Sequence, residues 1–256
     1  MSQLNGKVAI ISGASSGIGR AAAMLFARQG ARLVVMARRE KELASLVSEI
    51  GFNGGEAVAV VGDAGDERVA RQAVETAIEH FGGLHVAFNN AGTLGEMGPI
   101  ADISLDGWQE TLRINLTSAF LSAKYQMPEM VRAGGGSMIF TSSFVGYTAG
   151  FPGVAAYAAS KAGIIGLMQV LAVEGGASNV RVNAILPGGT DTAMNMANLP
   201  GAAPGTREFL NGLHALKRLA RPEEIAETAL HLASDASSFI TGTALLVDGG
   251  VSITRT

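Results

Sequence analysis

The sequence predicts a doubly wound α/β fold, a parallel sheet of about seven strands with helices on both faces. Short, nearly all-apolar runs of strand length recur along the chain, as expected of strands buried on both sides. Amphipathic or apolar segments of helical length separate them. The first run leads directly into the glycine-rich turn Gly13-Ala14-Ser15-Ser16-Gly17-Ile18-Gly19.

The elements follow in order. Residues 7–12 form the first strand, and residues 20–29 a helix with Ala23, Phe26 and Ala27 on one face and Gly30 closing it. Strand, glycine-rich turn and helix together are the context that phosphate binding requires. Glycines let the backbone approach a pyrophosphate, and the helix N-terminus offers N–H groups and positive dipole. Gly13, Ser15, Ser16, Gly17, Ile18 and Gly19 are therefore expected to bind a dinucleotide. Residues 32–37 are the second strand, and its end bears on the cofactor. A ribose 2′-OH is usually held by an acidic side chain about 20 residues after the glycines. Here Ala37 stands there, followed by Arg38 and Arg39, whose guanidiniums suit a 2′-phosphate. The expected cofactor is NADP(H), with NAD(H) the alternative and Arg38 the better candidate of the two arginines.

A helix is expected at about 40–50 and a strand at 56–61, ending in Gly62-Asp63. Asp63, with Ala64 beside it, is placed to accept from an adenine amino group; an ordinary turn aspartate is the alternative. Residues 66–81 read as a helix N-capped by Asp66, and 84–88 as a strand ending in Asn89-Asn90-Ala91-Gly92. Small residues and amides there suit a cofactor's sugar, so Asn89, Ala91 and Gly92 join the candidates. Next come a long helix at 104–132, a strand at 137–142, a helix at 155–175 and a strand at 180–186. A helix with Pro222 at its start and a strand at 244–247 complete the pattern. With no linker and no sustained repeat, residues 1–256 are expected to form one domain.

Composition narrows the classes. Hydrophobic residues are 48% and charged residues 16%, the balance of a chain with a large core. A net charge of −3 argues against nucleic acid or an anionic membrane as partner. The absence of cysteine removes disulfides, thiolate metal sites and thiol nucleophiles. His80, His85, His214 and His231 show no ligand spacing, so they read as surface or packing residues and no metal is expected. A strand-like run begins at Val8 and no uninterrupted apolar run reaches about 18 residues. Neither a signal peptide nor a membrane span is expected, and the default location is the cytoplasm.

The chemistry centres on Tyr157-Ala158-Ala159-Ser160-Lys161, which opens a long apolar segment. On a helix, positions i and i+4 share a face, so phenol and ammonium stand side by side. A lysine cation beside a tyrosine favours the phenolate and lowers its pKa toward useful acid–base work.

Taken with three further motifs, these residues resemble the short-chain dehydrogenase/reductase family in its compact branch of about 250 residues. The motifs are Gly13-x-x-x-Gly17-Ile18-Gly19, Asn89-Asn90-Ala91-Gly92, Ser143 ahead of Tyr157-x-x-x-Lys161, and Pro187-Gly188 after the sixth strand. The match runs from Lys7 to Gly250. It implies a Rossmann fold and hydride transfer between a nicotinamide and a carbonyl or secondary alcohol. By this resemblance Tyr157 exchanges the proton with the carbonyl oxygen, and Lys161 holds the nicotinamide ribose and lowers the tyrosine's pKa. Ser143 bonds the carbonyl oxygen, with Ser142 the neighbouring alternative, and Asn115 places a water that relays protons to Lys161. Pro187, Gly188, Thr190 and Thr192 are implied at the nicotinamide. The chain departs from the pattern in three places. Ser12 replaces a threonine, Ser143 lies fourteen rather than thirteen positions before Tyr157, and Thr190 stands where an apolar residue is common.

The region at about 188–215 is expected to cover the substrate. It brings Met194, Met196, Leu199, Phe209 and Leu213, facing Leu94, Met97, Phe144, Tyr147 and Phe151, a set that suggests an adaptable, mainly apolar pocket. Lys217, Arg218 and Arg221 suit an acidic acyl carrier, as for a 3-oxoacyl reductase, or form a solvated cluster. Residues 162–173 have only Gln169 as a polar side chain, which points to a subunit interface and, by the family's habit, a homotetramer. The competing readings are a catalytically inactive dinucleotide sensor on the same fold, and an epimerase or dehydratase of the family's extended branch. The intact Asn115, Ser143, Tyr157 and Lys161 set disfavours the sensor. The short chain and the three-residue gap between Gly13 and Gly17 disfavour the epimerase.

Overall fold

The structure is a computed structural model that describes residues 2–254. Seven strands form one sheet: β1 Val8–Ser12, β2 Arg32–Ala37, β3 Glu56–Val61, β4 Val86–Asn89, β5 Gly136–Thr141, β6 Val180–Pro187 and β7 Ala244–Val247. All pairs are parallel and the order is β3-β2-β1-β4-β5-β6-β7. The order reverses between β1 and β4, which opens a crevice at the carboxyl ends of the strands, where doubly wound sheets bind ligands.

Alternating side chains along each strand feed opposite cores. Val8 and Ile10 of β1 face one layer, built on α3 (Glu67–Phe81), α5 (Ser118–Arg132) and α6 (Ala155–Gly176). Ala9 and Ile11 face the other, built on α1 (Gly17–Arg28), α2 (Glu40–Phe52) and α8 (Pro222–Ala233). Two shorter helices, α4 (Leu105–Leu112) and α7 (Thr206–Leu213), complete the set. Asp66 caps α3 as expected, accepting from the Arg68 backbone N–H at 2.8 Å.

Two elements differ from the sequence reading, and a third, α6, agrees with it. First, α1 begins at Gly17, inside the glycine-rich turn rather than after it. The early start needs Gly19, because a Cβ there would lie 2.3 Å from the Gly13 carbonyl oxygen. Second, the long helix expected at 104–132 is interrupted by a wide π turn, Arg113–Thr117, between α4 and α5. The Ser118 hydroxyl donates to the Ile114 carbonyl at 2.5 Å, supplying a partner where the ladder widens. Hydrophobic periodicity does not register one extra residue in a turn. Third, α6 is by length and composition apolar enough to cross a membrane. Its Ile164, Ile165, Met168 and Ala172 side chains are instead buried against the sheet.

Gly19→Ala is expected to lower stability by about 1–3 kcal/mol, since α1 must shift off the turn. The urea unfolding midpoint measures it.

Candidate active site

The crevice is a cavity of about 520 Å³ that spans the strand-order reversal. Its central wall is the glycine-rich turn. Gly13 and Gly17 sit at φ +69° and +53°, the left-handed region that favours glycine. A Cβ on Gly13 would lie 3.0 Å from the Ala91 Cα, and one on Gly17 3.0 Å from the Thr192 side chain. Both glycines therefore keep the backbone open to a ligand. Ser15, Ser16 and Ile18 line the cavity with them. Gly19 does not; it serves the packing of α1, which corrects its expected place among the binding residues.

Beyond β2, Arg38 and Arg39 both line the cavity. Arg39 is the anchored one. It donates to the Ser15 hydroxyl at 3.2 and 2.9 Å and to the Ser16 hydroxyl at 2.6 Å. Arg38 is exposed and makes no hydrogen bond among the described residues. The sequence ranking of Arg38 over Arg39 rested on position alone. Asp63 and Ala64 line the same end. One Asp63 oxygen accepts from the Gly65 N–H at 2.9 Å and the other from Arg113 at 2.9 Å. Burial alone would raise its pKa, but these bonds outweigh burial and hold the carboxyl below its ordinary value. The turn role is thus realised, and both oxygens already have a donor.

At the end of β4, the Ser12 hydroxyl accepts the Asn90 and Ala91 N–H groups at 3.0 and 3.1 Å. The hydroxyl that serine shares with threonine is the part in use. Ala91 and Gly92 face the cavity, and so does Asn90. Asn89 does not. Its amide is buried in a reciprocal pair with Gln126, at 2.8 and 3.0 Å, so its expected contact with a cofactor sugar is replaced by a structural tie to α5.

The catalytic candidates meet at the inner end. α6 carries Tyr157 and Lys161 on one face, with Lys161 Nζ 5.7 Å from the centre of the phenol ring. Ser143 faces the phenol, and its hydroxyl accepts the Val145 N–H at 3.1 Å. Between Ser143 and Tyr157 the chain makes a turn in which Tyr147 and Thr148 both donate to the Phe144 carbonyl. Ser142 is excluded as the partner: its hydroxyl donates to the Lys161 backbone carbonyl at 2.7 Å. Asn115 stands behind the site, outside the cavity lining. Its amide donates to the Thr93 carbonyl and the Ser160 hydroxyl, both at 2.9 Å, and accepts the Thr93 N–H at 2.8 Å. These bonds fix the Gly92–Thr93 turn to α6 and leave Oδ1 one further acceptor position.

The electrostatics also differ from expectation. Burial raises the Tyr157 pKa above its ordinary value, with the Ser143 hydroxyl pulling the other way. Burial lowers Lys161 from 10.5 to about 8. Nζ donates to the Thr141 carbonyl at 2.8 Å, and in this state its charge does not offset the desolvation of the phenol.

Pro187, Gly188, Thr190 and Thr192 line the cavity at the end of β6. Of the expected substrate-side residues, Leu94, Phe144, Phe151, Met194, Met196 and Leu213 line it as well. Phe144 and Phe151 pack edge to face, 5.8 Å between centres. Met97, Tyr147 and Phe209 are exposed instead, and Leu199 lies outside the lining. The structure adds Val145, Val154, Leu210, His214 and Val251. Val251 and His214 arrive from distant parts of the chain, and no local pattern marks them. Leu210 shares an α7 face with Leu213, a helical spacing that was legible.

The glycine cradle, the anchored guanidinium and the adjoining hydroxyls fit a phosphate-bridged dinucleotide. A dinucleotide crevice that ends in a half-buried tyrosine beside a buried lysine defines a nicotinamide-dependent oxidoreductase. Comparisons agree and are more specific. A family model described as enoyl-(acyl carrier protein) reductase matches residues 13–252. The chain is 37% identical to a cyclohexanol dehydrogenase of Acinetobacter sp. over 96% of this chain and 95% of that protein. It is 38% identical to a 2,5-dichloro-2,5-cyclohexadiene-1,4-diol dehydrogenase of Sphingobium indicum, over 98% of both. The crystal structure of a short-chain type dehydrogenase/reductase from Mycobacterium marinum superposes with a TM-score of 0.92 at 33% identity, covering 98% of both chains. The chain belongs to the short-chain dehydrogenase/reductase family. It is an NAD(P)-dependent enzyme that transfers a hydride between the nicotinamide and a carbonyl or alcohol, as the motifs implied.

The buried lysine should leave a mark on stability. Between about 8 and 10.5 the unfolded chain holds a proton on Lys161 that the folded chain has shed, so this group makes stability rise with pH. Lys161→Met removes that rise. Urea unfolding of both proteins at intervals across this window should show the wild type gaining on the variant as pH increases.

Proposed function

We propose that this enzyme reduces uncharged, mainly apolar ketones with NADPH, and oxidises the matching secondary alcohols, cyclic ones in particular. The observation that carries the reading is Tyr157 facing Ser143 beside buried Lys161, in a cavity whose substrate side has no carboxylate or guanidinium among the described residues. A carboxylate or phosphate on the substrate would find no counter-charge there. Apolar walls from Phe144, Phe151, Met194 and Met196 suit a ring, and methionines adapt to its outline. The names of the cyclohexanol and cyclohexadiene-diol dehydrogenases point the same way.

When bound, the nicotinamide gives or takes the hydride at the carbonyl carbon. The chain's own residues manage the oxygen. Tyr157 gives its proton to the carbonyl oxygen in reduction and takes it back in oxidation. Ser143 donates a hydrogen bond where negative charge develops on that oxygen. Lys161 keeps donors beyond the one spent on Thr141, and these suit the cofactor ribose. Its charge then favours the phenolate that Tyr157 leaves behind. Gly13, Gly17 and the α1 N-terminus hold the pyrophosphate, Thr190 and Thr192 the nicotinamide amide, and Arg38 with Arg39 the 2′-phosphate.

Arg218 is bonded twice to Glu224, at 2.7 Å each, which reduces what this cluster offers an acidic carrier and supports a free small molecule. The exposed side of α6, with Val170 and Val173, supports the homotetramer, and residues 188–215 serve as the substrate cover of a single domain.

Tyr157→Phe should lower kcat by about 10²- to 10⁴-fold while leaving NADPH binding nearly intact. Reduced-nicotinamide absorbance with a panel of cyclic, linear and carboxylated ketones reads this, and a preference for carboxylated ketones would defeat the substrate reading. Arg39→Ala and Arg38→Ala should each raise the KM for NADPH far more than that for NADH. An equal effect on both cofactors would count against the 2′-phosphate assignment. Sedimentation of a dilute sample should give a tetramer; a monomer would remove the interface.

A further inference from the structure

His214 is 3% exposed and sits where three segments of the cavity wall meet. Its Nε2 accepts the Gly189 backbone N–H at 3.0 Å, and its Nδ1 lies 2.7 Å from the Leu210 carbonyl oxygen. A carbonyl only accepts, so Nδ1 carries the proton and donates; Nε2 keeps its lone pair for Gly189, and the ring is the neutral Nδ1–H tautomer. On the third side Gly249 lies against the ring, where a Cβ would come to 3.4 Å, an ordinary contact. Gly189 itself must lack a side chain: a Cβ would lie 2.9 Å from the imidazole Cε1. The Gly189 carbonyl is taken as well, accepting the Ala220 N–H at 2.9 Å. The two peptides that flank the Gly189 Cα in the Gly188–Thr192 turn are thereby both held.

The same turn is tied to the other end of α7. Arg207 donates to the Asp191 carboxylate at 2.9 and 3.2 Å. That pair is solvent-exposed and worth little by itself. The buried imidazole bond is the stiffer of the two ties.

We infer that His214 is a positioning residue, one that fixes the nicotinamide-side turn Gly188–Thr192 to the substrate-side helix α7 so that the two move as one unit. The inference rests on the functional reading above, which places Thr190 and Thr192 at the nicotinamide. Its consequence is that cofactor placement and substrate cover are set by the same two hydrogen bonds. A turn released from His214 misplaces the reacting partners, and a misplacement of about 1 Å can cost on the order of 10²-fold in rate.

Three variants test it. His214→Phe keeps a ring and loses both bonds, His214→Gln retains an acceptor for Gly189, and His214→Asn retains a donor for Leu210. With cyclohexanone and NADPH, kcat should fall about 10- to 100-fold in the Phe and Asn variants, with KM for NADPH little changed, and recover in the Gln variant. Hydrogen exchange supplies a second readout. The Gly189 amide should be protected in the wild type and the Gln variant and exposed in the Phe and Asn variants. NADPH should slow exchange across residues 206–213 only where Gly189 is protected. Wild-type kcat and Gly189 protection in His214→Phe, or a lowered melting temperature as the only change, would overturn the inference. Should His214→Phe fail to fold, the Gln and Asn variants decide: equal behaviour, or Asn the better of the two, overturns it. A wild type that reduces no ketone with either cofactor defeats the functional reading, and the exchange pattern then decides the role of His214.

Discussion

Lys161 is an amine taken out of water at the junction of three elements, and the inner half of the cleft is arranged around keeping it there. Its Nζ has the Thr141 carbonyl at the end of β5 as a partner, its backbone carbonyl takes the Ser142 hydroxyl, and Gly92 at the end of β4 is close enough that a Cβ would come within 3.3 Å of Nζ. Burial brings the group to a pKa of about 8, so its charge is poised rather than permanent. Tyr157 shares that desolvated space. New donors or charges arriving beside this proposed acid–base pair therefore have large leverage.

Behind this pair, polar groups are paired with one another and so withdrawn from the cleft. Asn89 is closed on Gln126 and Asn115 on Thr93 and Ser160, while at the far end of the cavity Asp63 stays in the lining with both oxygens bonded, to Arg113 and Gly65. Among the described residues no buried side-chain nitrogen or oxygen lacks a partner. Groups left facing the cavity, the Ser143 hydroxyl and the Tyr157 phenol among them, stand on a satisfied background. Such support is what holds a reacting constellation in register.

Much of this was legible in one dimension because its causes are local. Strand runs such as residues 32–37, 56–61 and 244–247 coincide with β2, β3 and β7, because short runs rich in valine and leucine suit a pleated sheet; β2 is buried from Leu33 to Met36, whereas β3 and β7 are edge strands, mostly half-buried or exposed. Tyr157 and Lys161 share a face because a helix repeats every 3.6 residues. What escaped was the direction of individual side chains. Asn89 and Asn90 are adjacent and chemically alike, yet strand alternation turns the first into the protein and leaves the second on the cavity. Ser142 and Ser143, both in the cavity lining just past β5, are parted by their partners instead, the first donating to the Lys161 carbonyl and the second accepting the Val145 N–H. The π turn at Arg113–Thr117 and the engagement of Asn115 depend on contacts with Thr93 and Ser160, which no window of sequence contains.

The sequence by itself determined the fold class and the family, and singled out the glycine-rich turn and the tyrosine–lysine–serine set as candidates, because these follow from periodicity and from motifs of fixed spacing. Only the tertiary structure decided which arginine is anchored, which serine faces the phenol, and that burial rather than charge governs the resting pKa of Tyr157. It alone brought His214 and Val251 to a cavity whose glycine-rich wall begins at Gly13. Those outcomes depend on the distances and desolvation that arise when remote segments close on one another, and neither quantity exists until the chain has folded.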